Sequence, residues 1–345
     1  MASQVRFNVS TLLVLSIVLL SGCVKQSAEI KAFSGNTMGT TYSIKFVQQK
    51  DAAQIDLLRL QSDVEQRLLE INQLMSTYIS DSELSLLNKA PANQAFLLSG
   101  ETLTVIHEAL RLAELSDGAL DITVGPLVNL WGFGPDQKPD VIPSAQKIED
   151  TRAVVGLDKF TIDSNAVFKS HQSVYIDLST IAKGYAVDQL ALILSEQGYS
   201  NYLVEIGGEM RASGKKLNSE DWLLAIEKPI TTERVVQRII SIGDNAIATS
   251  GDYRNYFEED GVRFSHLIDP QTAHPIQHNL VAVSVVAPTC IEADGLATAL
   301  IVLGPEKGKA LAEQEGIAAL FITKEGAEFE EYRSSAFNQQ VTVVQ

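Results

Sequence analysis

The sequence predicts an α+β fold with mixed or antiparallel sheets, flanking helices and two closely packed subdomains. Apolar residues recur at helical spacing in a few separate segments, whereas several short alternating segments follow one another in the second half. Helices and strands that segregate in this way argue against a doubly wound parallel sheet, in which they alternate strictly. With 345 residues, 45% of them apolar, the chain can form a packed core without disulfides or a structural metal.

The first 22 residues are predicted to be a signal peptide. They contain Arg6, no acidic residue and an apolar run over residues 12–20, which is shorter than the roughly twenty residues of a membrane-spanning helix. The following Ser21-Gly22-Cys23 resembles the lipobox of bacterial lipoproteins, in which the cysteine thiol takes a diacylglyceryl group. We therefore expect Cys23 to be lipidated, with acyl chains such as palmitate, and residues 23–32 to be a tether. The alternative is a cleaved secretory protein without an anchor.

In the first half, apolar spacing predicts one strand and two helices. Residues 40–46 alternate as a strand does. The apolar stripes of the two helices consist of Leu57, Leu60, Val64, Leu68, Ile71 and Met75 in the first, and of Leu103, Ile106, Leu110 and Ala113 in the second. Asp117-Gly118 is predicted to end the second helix. Residues 126–143 are rich in Gly and Pro and are predicted to be largely loop, in which Trp131 and Phe133 either anchor the loop or form a pocket wall.

In the second half, strands predominate. Residues 174–177 are predicted to be a strand that leads into a helix over residues 181–195, and residues 202–206 the next strand. Further alternating segments predict strands at residues 222–227, 235–242, 246–249, 264–268 and 281–286. Thr289 and Glu292 have the spacing of a capping box, which would open a helix that runs through Leu303 and ends at Gly304-Pro305.

The acidic balance of the chain restricts its partners. The chain has 27 Lys and Arg residues against 43 Asp and Glu residues, for a formal net charge of −16. Such a charge repels phosphate backbones, so we expect no nucleic-acid partner. Cys23 would instead hold the protein to membrane lipid in the cell envelope, on the periplasmic side, with the inner membrane favoured. Cys290 then has no intramolecular partner and is expected to be a buried small apolar residue.

Asp294 and Thr298 are the first candidate site. They lie four residues apart on the predicted helix 289–303 and therefore project from the same side. A carboxylate and a hydroxyl are hard oxygen donors of the kind that bind Mg²⁺. The same spacing also occurs on ordinary helix surfaces, but here the flanking residues are apolar, and an isolated carboxylate would be costly among them without a partner.

The segment from Asp177 to Asp188 is the second candidate. It lies where a strand is predicted to end and a helix to begin, a place where free backbone N–H groups can bind an anion. Lys183 adds a positive charge, so a phosphate group could bind there. The alternative is a capped helix with a solvated lysine, because the segment lacks the glycine spacing of a phosphate-binding loop.

These two segments, taken with five others in order along the chain, resemble the ApbE family. The matching segments are residues 35–42, 116–127, 177–188, 205–209, 248–253, 266–272 and the helix that carries Asp294. The resemblance covers residues 33–335, from which we expect a family domain over residues 33–345 with an ApbE-like fold.

The resemblance implies an enzyme that takes FAD, uses Mg²⁺ and transfers FMN to a threonine hydroxyl of a target flavoprotein, with release of AMP. It also implies that Mg²⁺ is held by the side chains of Asp294 and Thr298 and the carbonyls of Thr180 and Ala297. The implied FAD pocket consists of Met38, Tyr78, Ala119, Leu120, Asp121, Asp177, Lys183 and Ile268. The implied acceptors are flavin-carrying subunits of membrane redox complexes, such as the Na⁺-translocating NADH:quinone reductase or its Rnf relatives.

His266 is the candidate base for the incoming hydroxyl, and Asp294 the candidate catalytic metal ligand. An imidazole can hold a proton near neutral pH, and His266 directly precedes a segment assigned to the site, although a structural histidine is an alternative. A zinc site at His274 and His278 is not expected, because Pro275 separates them.

Two other functions stay open: hydrolysis of FAD to FMN and AMP, and a lipid-anchored protein that binds flavin or another solute without catalysis.

The chain departs from the family pattern at two places. Ser179-Thr180 stands where members commonly have Gly-Ala, and Ala273 stands where they usually have Gly. The first departure leaves a carbonyl ligand available, so only the local backbone shape is in question. The second leaves open how the turn after Thr272 is formed.

Overall fold

The computed structural model describes residues 28–49, 56–134, 142–230, 235–253, 255–259, 262–326 and 328–345. The expected signal peptide, Cys23 and the first part of the expected tether lie outside these residues and stay predictions. Within the described ranges, no helix combines the length and the apolar character that a membrane crossing requires.

The described residues form eight α-helices and eighteen strands. The helices are α1 (Leu57–Met75), α2 (Glu83–Lys89), α3 (Gly100–Leu115), α4 (Gly125–Leu130), α5 (Ala145–Arg152), α6 (Ala182–Glu196), α7 (Cys290–Gln314) and α8 (Ser335–Gln340). The first nine strands are β1 (Glu29–Thr37), β2 (Thr40–Gln48), β3 (Phe96–Leu97), β4 (Phe160–Asp163), β5 (Ala166–Lys169), β6 (Tyr202–Ile206), β7 (Glu209–Ser213), β8 (Leu224–Glu227) and β9 (Val236–Ser241). The other nine are β10 (Ala246–Gly251), β11 (Tyr256–Glu259), β12 (Val262–Ser265), β13 (Ile268–Asp269), β14 (His274–Pro275), β15 (Leu280–Ala287), β16 (Ala318–Glu325), β17 (Glu328–Arg333) and β18 (Thr342–Val343).

An eight-stranded sheet in the order β1-β2-β6-β7-β10-β15-β16-β17 forms the centre of the fold. Every neighbouring pair in it is antiparallel. Two three-stranded sheets, β18-β9-β8 and β3-β5-β4, and the hairpins β11–β12 and β13–β14 complete the described strands. The predicted α+β class with antiparallel sheets is therefore confirmed, whereas the division into two subdomains stays a prediction.

Apolar side chains cover both faces of the large sheet. Along β2, Ile44 and Phe46 belong to a core on one face, whereas Val47 belongs to a core on the other, because side chains alternate along a strand. The first core contains the buried sides of α1, α3, α6 and α7. The second contains β8, β9 and α8. All eight residues of β15 are buried, which explains why its sequence is apolar without alternation.

Both helices predicted in the first half are confirmed. On α1, the stripe from Leu60 to Met75 is buried, and the side chain of Asp56 accepts a hydrogen bond from the N–H of Arg59 at 3.1 Å. Helix α3 ends as predicted, with Asp117 and Gly118 at positive φ. The N–H of Gly118 donates to the carbonyl of Ala113 at 2.9 Å and so closes the last turn.

The expected extents of two irregular segments are wrong. The tether does not extend to residue 32, because β1 begins at Glu29 and pairs with β2 along its whole length. The ladder hydrogen bonds hold these residues in the sheet although none of their side chains is fully buried. The loop expected over most of residues 126–143 begins only after residue 130, because residues 126–130 belong to helix α4, where Pro126 near the start fixes a helical φ and loses no hydrogen bond. Residues 135–141 of this segment lie outside the described residues.

The predicted strand over residues 174–177 is also wrong. The segment pairs with no described strand, because other groups satisfy its backbone. The side-chain amide of Asn88 donates to the carbonyl of Ile176 and accepts from its N–H, both at 2.8 Å. The N–H of Asp177 donates to the carbonyl of Ile122 at 2.7 Å. The segment 264–268, which was predicted to be one strand, is divided between β12 and β13, because the chain bends at His266.

Helix α7 differs from the prediction at both ends. The side chain of Thr289 makes no capping hydrogen bond; instead, the carboxylate of Asp188 accepts from the N–H groups of Cys290 and Ile291 at 3.0 and 2.9 Å. The predicted end at Gly304 is a kink, with φ 78 and ψ 179, after which helical structure continues to Gln314. A carboxylate on α6 therefore supplies the cap that the local sequence does not.

Gly184 allows α6 and α7 to approach closely. A Cβ atom there would lie 2.3 Å from the carbonyl oxygen of Cys290 and 2.8 Å from the Cβ of Asp294. We expect Gly184→Ala to lower the free energy of unfolding by about 3 kcal/mol, because backbone atoms have to move apart. Urea denaturation of the purified protein measures this. Gly100→Ala is the control, since a Cβ there meets nothing within 4 Å, and its effect should stay within about 0.5 kcal/mol. Equal effects would contradict the close-approach argument.

Candidate active site

A cavity of about 350 Å³ lies where the start of α6, the flank of α7 and the end of β10 meet. The expected metal ligands Thr180, Asp294 and Thr298 line it, together with Lys183 and the candidate base His266. Ala297 is fully buried and is not among the lining residues. The structure thus brings together segments that are more than 100 residues apart in the sequence.

Asp294, Lys183 and Glu209 form a charged group at the centre of the cavity wall. Asp294 is 4% exposed and its Oδ2 accepts a hydrogen bond from the N–H of Gly184 at 2.9 Å. Glu209, which begins β7 and is 3% exposed, forms an ion pair with Lys183. One ammonium between two carboxylates leaves this group with a net negative charge when both carboxylates are ionised.

The pKa values in this group follow from burial and from the neighbouring charges. Burial raises the pKa of the Asp294 carboxyl to about 7; the charge of Lys183 opposes this shift and that of Glu209 adds to it. Burial lowers the pKa of Lys183, but the charges of Asp294 and Glu209 outweigh it, and the pKa lies above its ordinary value. The ammonium therefore stays charged, and the carboxyl of Asp294 would gain from a positive ligand.

The oxygen atoms around Asp294 fit a divalent cation. The hydroxyl of Thr298 lies 3.0 Å from the hydroxyl of Ser250 on β10, and both line the cavity. Thr180 Oγ1 and Glu209 Oε2 are buried without a hydrogen-bond partner among the described residues. Hard oxygen donors and an excess of negative charge are what Mg²⁺ prefers. In the described part of the chain, no three His, Cys, Asp or Glu side chains cluster as a metal site, but the expected set contains only one carboxylate.

The expected FAD residues lie in two adjoining cavities. Ala119, Leu120, Asp121 and Ile268 line the first cavity. Met38, at the turn between β1 and β2, lines a second cavity of about 600 Å³. Tyr78, Asp177 and Lys183 line both. The structure therefore brings all eight expected residues to one continuous depression, although it does not test their roles.

Tyr78 and the two aspartates have surroundings that suit a nucleotide. Tyr78 is 72% exposed where the two cavities adjoin, so its ring is a free platform and not part of the core. Burial raises the pKa of Asp121 and of Asp177, although hydrogen bonds partly oppose it. Asp121 accepts from the N–H of Thr123 at 2.7 Å, and Asp177 from the N–H of Ser179 at 2.9 Å. Both carboxylates are thus held in place before any ligand binds.

His266 lies at the edge of an aromatic cluster. Its Nδ1 is 3.1 Å from the carbonyl of Asn255, so Nδ1 is assigned the proton and Nε2 is left as an acceptor. Burial lowers the pKa of the imidazole, against the effect of that hydrogen bond. Phe133 contacts the His266 ring edge-on at 6.4 Å and stacks on Phe257, and it also lines the first cavity. Trp131 is buried in the cluster and anchors the loop, whereas Phe133 forms part of the pocket wall.

The other singled-out residues have structural surroundings. Cys290 is fully buried, and burial raises the pKa of its thiol well above the ordinary value, as expected of a small apolar residue. His274 packs on Trp131 at 5.6 Å, and His278 packs against the kink at Gly304.

Sequence reasoning missed three residues of this region. Glu209 appeared only within a matching segment, yet its position after the Gly207-Gly208 turn could have indicated a side chain directed at the site. Ser250 likewise appeared only within a matching segment, and a single serine beside a glycine gives no further indication of a role. Asp188 caps α7 and pairs with Arg211, and only the meeting of α6 with α7 reveals this.

Comparison with known proteins identifies the fold and the family. A family model described as "ApbE family" matches residues 38–321. The chain belongs to the ApbE family. A curated relative from Vibrio cholerae serotype O1, named FAD:protein FMN transferase, is 51% identical over 322 residues, which cover 93% of this chain and 96% of the relative. A relative of the same name from Escherichia coli K12 is 42% identical over 321 residues, which cover 90% and 89%.

Two solved structures extend the likeness to three dimensions. The flavin transferase ApbE from Vibrio cholerae has a TM-score of 0.84 and 49% identity, covering 91% of this chain and 99% of that one. The apo form of the Pseudomonas stutzeri flavinyl transferase ApbE has a TM-score of 0.84 and 42% identity, covering 91% and 97%. The resemblance to ApbE proteins that the sequence motifs indicated is thus confirmed.

The two departures from the ApbE pattern are accommodated differently. Neither Ser179 nor Thr180 has a positive φ, so side chains are tolerated where members commonly have Gly-Ala. Ala273 has φ 61, the left-handed region that favours glycine. Its N–H donates to the carbonyl of Asp269 at 2.8 Å, and its carbonyl accepts from the indole of Trp131 at 3.0 Å. The turn therefore keeps a conformation suited to glycine, and these two hydrogen bonds offset the backbone strain at Ala273.

Proposed function

We propose that this protein is a FAD:protein FMN transferase that attaches FMN to a threonine of an acceptor flavoprotein through a phosphoester bond. The single observation that carries the proposal is the meeting of Lys183, Asp294 and Glu209 beside cavities lined by all the expected FAD residues. The name shared by the curated relatives supports it. The proposed acceptors are flavin-carrying subunits of the Na⁺-translocating NADH:quinone reductase or its Rnf relatives.

The proposed reaction exchanges one phosphate ester for another. The acceptor's hydroxyl oxygen forms a bond to the phosphorus of the FMN half, the bond from that phosphorus to the oxygen of the AMP phosphate breaks, and AMP leaves. The hydroxyl proton passes to Nε2 of His266 and then to solvent. Lys183 offsets the negative charge of the diphosphate, and Tyr78 provides an apolar face for an aromatic ring of FAD.

Mg²⁺, held by the side chains of Asp294 and Thr298 and the carbonyls of Thr180 and Ala297, would neutralise and orient the diphosphate when bound. The residues of this chain then have separate tasks. Asp294 supplies the charge that holds the cation, and Ser250 orients the Thr298 hydroxyl. The close contact at Gly184 fixes Asp294 against α6. In phosphoryl transfer, positioning and charge stabilisation supply most of the catalysis.

We also propose that the mature chain is held by lipid on Cys23 at the periplasmic side of the inner membrane. The lipobox-like sequence supports this proposal. Such an anchor would keep the site close to acceptors that are themselves membrane complexes.

Incubation of the protein with FAD, Mg²⁺ and a recombinant acceptor subunit tests the function. The proposal predicts flavin fluorescence on the acceptor band in a denaturing gel. Free FMN without labelled acceptor would indicate hydrolysis instead, and unchanged FAD would indicate a binding protein. Either of these two results would contradict the proposed transfer.

The pH dependence of transfer tests the role of His266. The base has to be neutral, and burial lowers its pKa below the ordinary value of 6.5. At saturating Mg²⁺, which would keep the Asp294 carboxyl ionised, we therefore expect kcat/KM to be constant near pH 7 and to fall only below about pH 6.5, as the imidazole gains a proton. His266→Gln should lower kcat/KM by about 100-fold and remove this acidic limb. An unchanged limb in that variant would show that another group titrates.

A further inference from the structure

A third cavity, of about 340 Å³, opens on the candidate active site from the side of β8. Thr40 and Thr41 at the start of β2, the Gly207-Gly208 turn and all four residues of β8 line it. It shares with the first cavity the residues Lys183, Glu209, Thr249, Gly251, Asn255 and His266. The candidate base and the charged group therefore stand where the two cavities meet.

Apart from Lys183, the expected FAD residues do not line this third cavity. Seven of the eight line the first or second cavity only, and Lys183 alone lines all three. A displacement at phosphorus places the incoming oxygen roughly opposite the leaving one. With the dinucleotide in the first two cavities, the acceptor hydroxyl can reach the phosphates through the third cavity. His266 lines this route.

The wall formed by β8 offers unpaired backbone groups. In the described residues β8 pairs with β9 on one edge and with no strand on the other. Ala225 lies opposite Ile239, whose N–H donates to the carbonyl of Gln345 and whose carbonyl accepts from Val344. Both groups of Ile239 thus point away from β8, so this is a non-hydrogen-bonded pair. The N–H and carbonyl of Ala225 consequently point to the free edge, and Ala225 is exposed and lines the cavity.

We propose that this third cavity is the acceptor groove, which binds an extended segment of the acceptor protein beside β8. Backbone hydrogen bonds with Ala225 would hold the segment as an added strand, and the hydroxyl-bearing residue would reach the junction at His266 and Lys183. An extended chain fits because the Gly207-Gly208 turn, which lines the cavity together with β8, carries no side chains that would fill it. This inference rests on the proposed function and names the place of its second substrate.

A bulky residue at Thr41 tests the groove. The side chain of Thr41 is exposed and lines the groove, whereas Lys45 is exposed on the same face of β2, four residues further, and does not. We expect Thr41→Trp to raise the KM for a recombinant quinone-reductase acceptor subunit at least tenfold while the affinity for FAD stays unchanged. Lys45→Trp should alter neither quantity. FAD affinity is measured by quenching of flavin fluorescence, and transfer by fluorescence of the acceptor in a denaturing gel.

A second pair of variants tests the backbone contact. Ala225→Pro removes the outward N–H and leaves the β8–β9 hydrogen bonds in place, whereas Ala225→Ser keeps the N–H. We expect the proline variant alone to raise the acceptor KM, by about tenfold.

The outcomes separate this inference from the proposed function. A wild-type protein that labels no acceptor would overturn both. Normal transfer by Thr41→Trp, or loss of FAD affinity in that variant, would overturn the groove alone.

Discussion

Asparagine in place of Asp294 is expected to lower kcat/KM for FMN transfer by about 1000-fold. The amide keeps the size of the carboxyl group and can still accept from the N–H of Gly184, but it lacks the charge that holds a divalent cation. Loss of a metal that neutralises the diphosphate removes several kcal/mol of transition-state stabilisation, and about 4 kcal/mol corresponds to this factor. Initial rates of acceptor labelling at varied Mg²⁺ measure the effect.

Stability provides the control for this variant. The Asp294 carboxyl is buried and its pKa is raised, so removing its charge costs the fold little. The free energy of unfolding in urea should stay within about 1 kcal/mol of the wild type. Asp294→Ala should likewise lose activity while it folds. Full Mg²⁺-dependent turnover in either variant would show that the metal is held elsewhere.

Methionine in place of Lys183 is expected to impair both catalysis and stability. We expect kcat to fall by 100-fold or more, because the ammonium offsets the charge on the transferring phosphate. The change also leaves the buried carboxylate of Glu209 without its partner, which should cost about 3 kcal/mol of unfolding free energy.

A double variant separates these two effects. Adding Glu209→Gln to Lys183→Met removes the unpaired charge, so most of the lost stability should return. Activity should remain low, because the phosphate still lacks its cation. Recovery of activity together with stability would mean that Lys183 acts only through the fold. Urea denaturation and acceptor labelling, applied to the same preparations, give the two readouts.

The parts of the site that lie within one element could be predicted from the sequence. Asp294 and Thr298 project from the same side of α7 because helical spacing fixes their relation, and both line the cavity. The apolar stripe on α1 was likewise sufficient to place that helix. Matching segments identified the family because their residues are specific in type and order.

The parts of the site that depend on contacts between distant segments could not be predicted from the sequence. Lys183 meets Glu209 only because α6 packs against the β6–β7 hairpin. The local capping box at Thr289 is replaced by Asp188, about a hundred residues earlier in the chain. Residues 174–177 have a strand-like pattern, yet Asn88 takes the place of a neighbouring strand. In the last two cases, a tertiary hydrogen bond outweighs a local preference.

The position of the acceptor groove depends in the same way on topology. The sequence predicted a strand at residues 222–227 but gave no sign that it lies at a sheet edge beside the site. That information requires the strand order β18-β9-β8 and the register of Ala225 opposite Ile239. Edge position follows from pairing between segments far apart, which a pattern within one strand does not encode.

Mass spectrometry of an acceptor subunit co-expressed with this protein is the decisive test of FMN transfer to a threonine at the Asp294 site. We expect a mass gain equal to one FMN, located on a threonine, with the wild type and none with Asp294→Asn. An acceptor that stays unmodified beside active wild-type protein, or that carries flavin on another residue type, would contradict it.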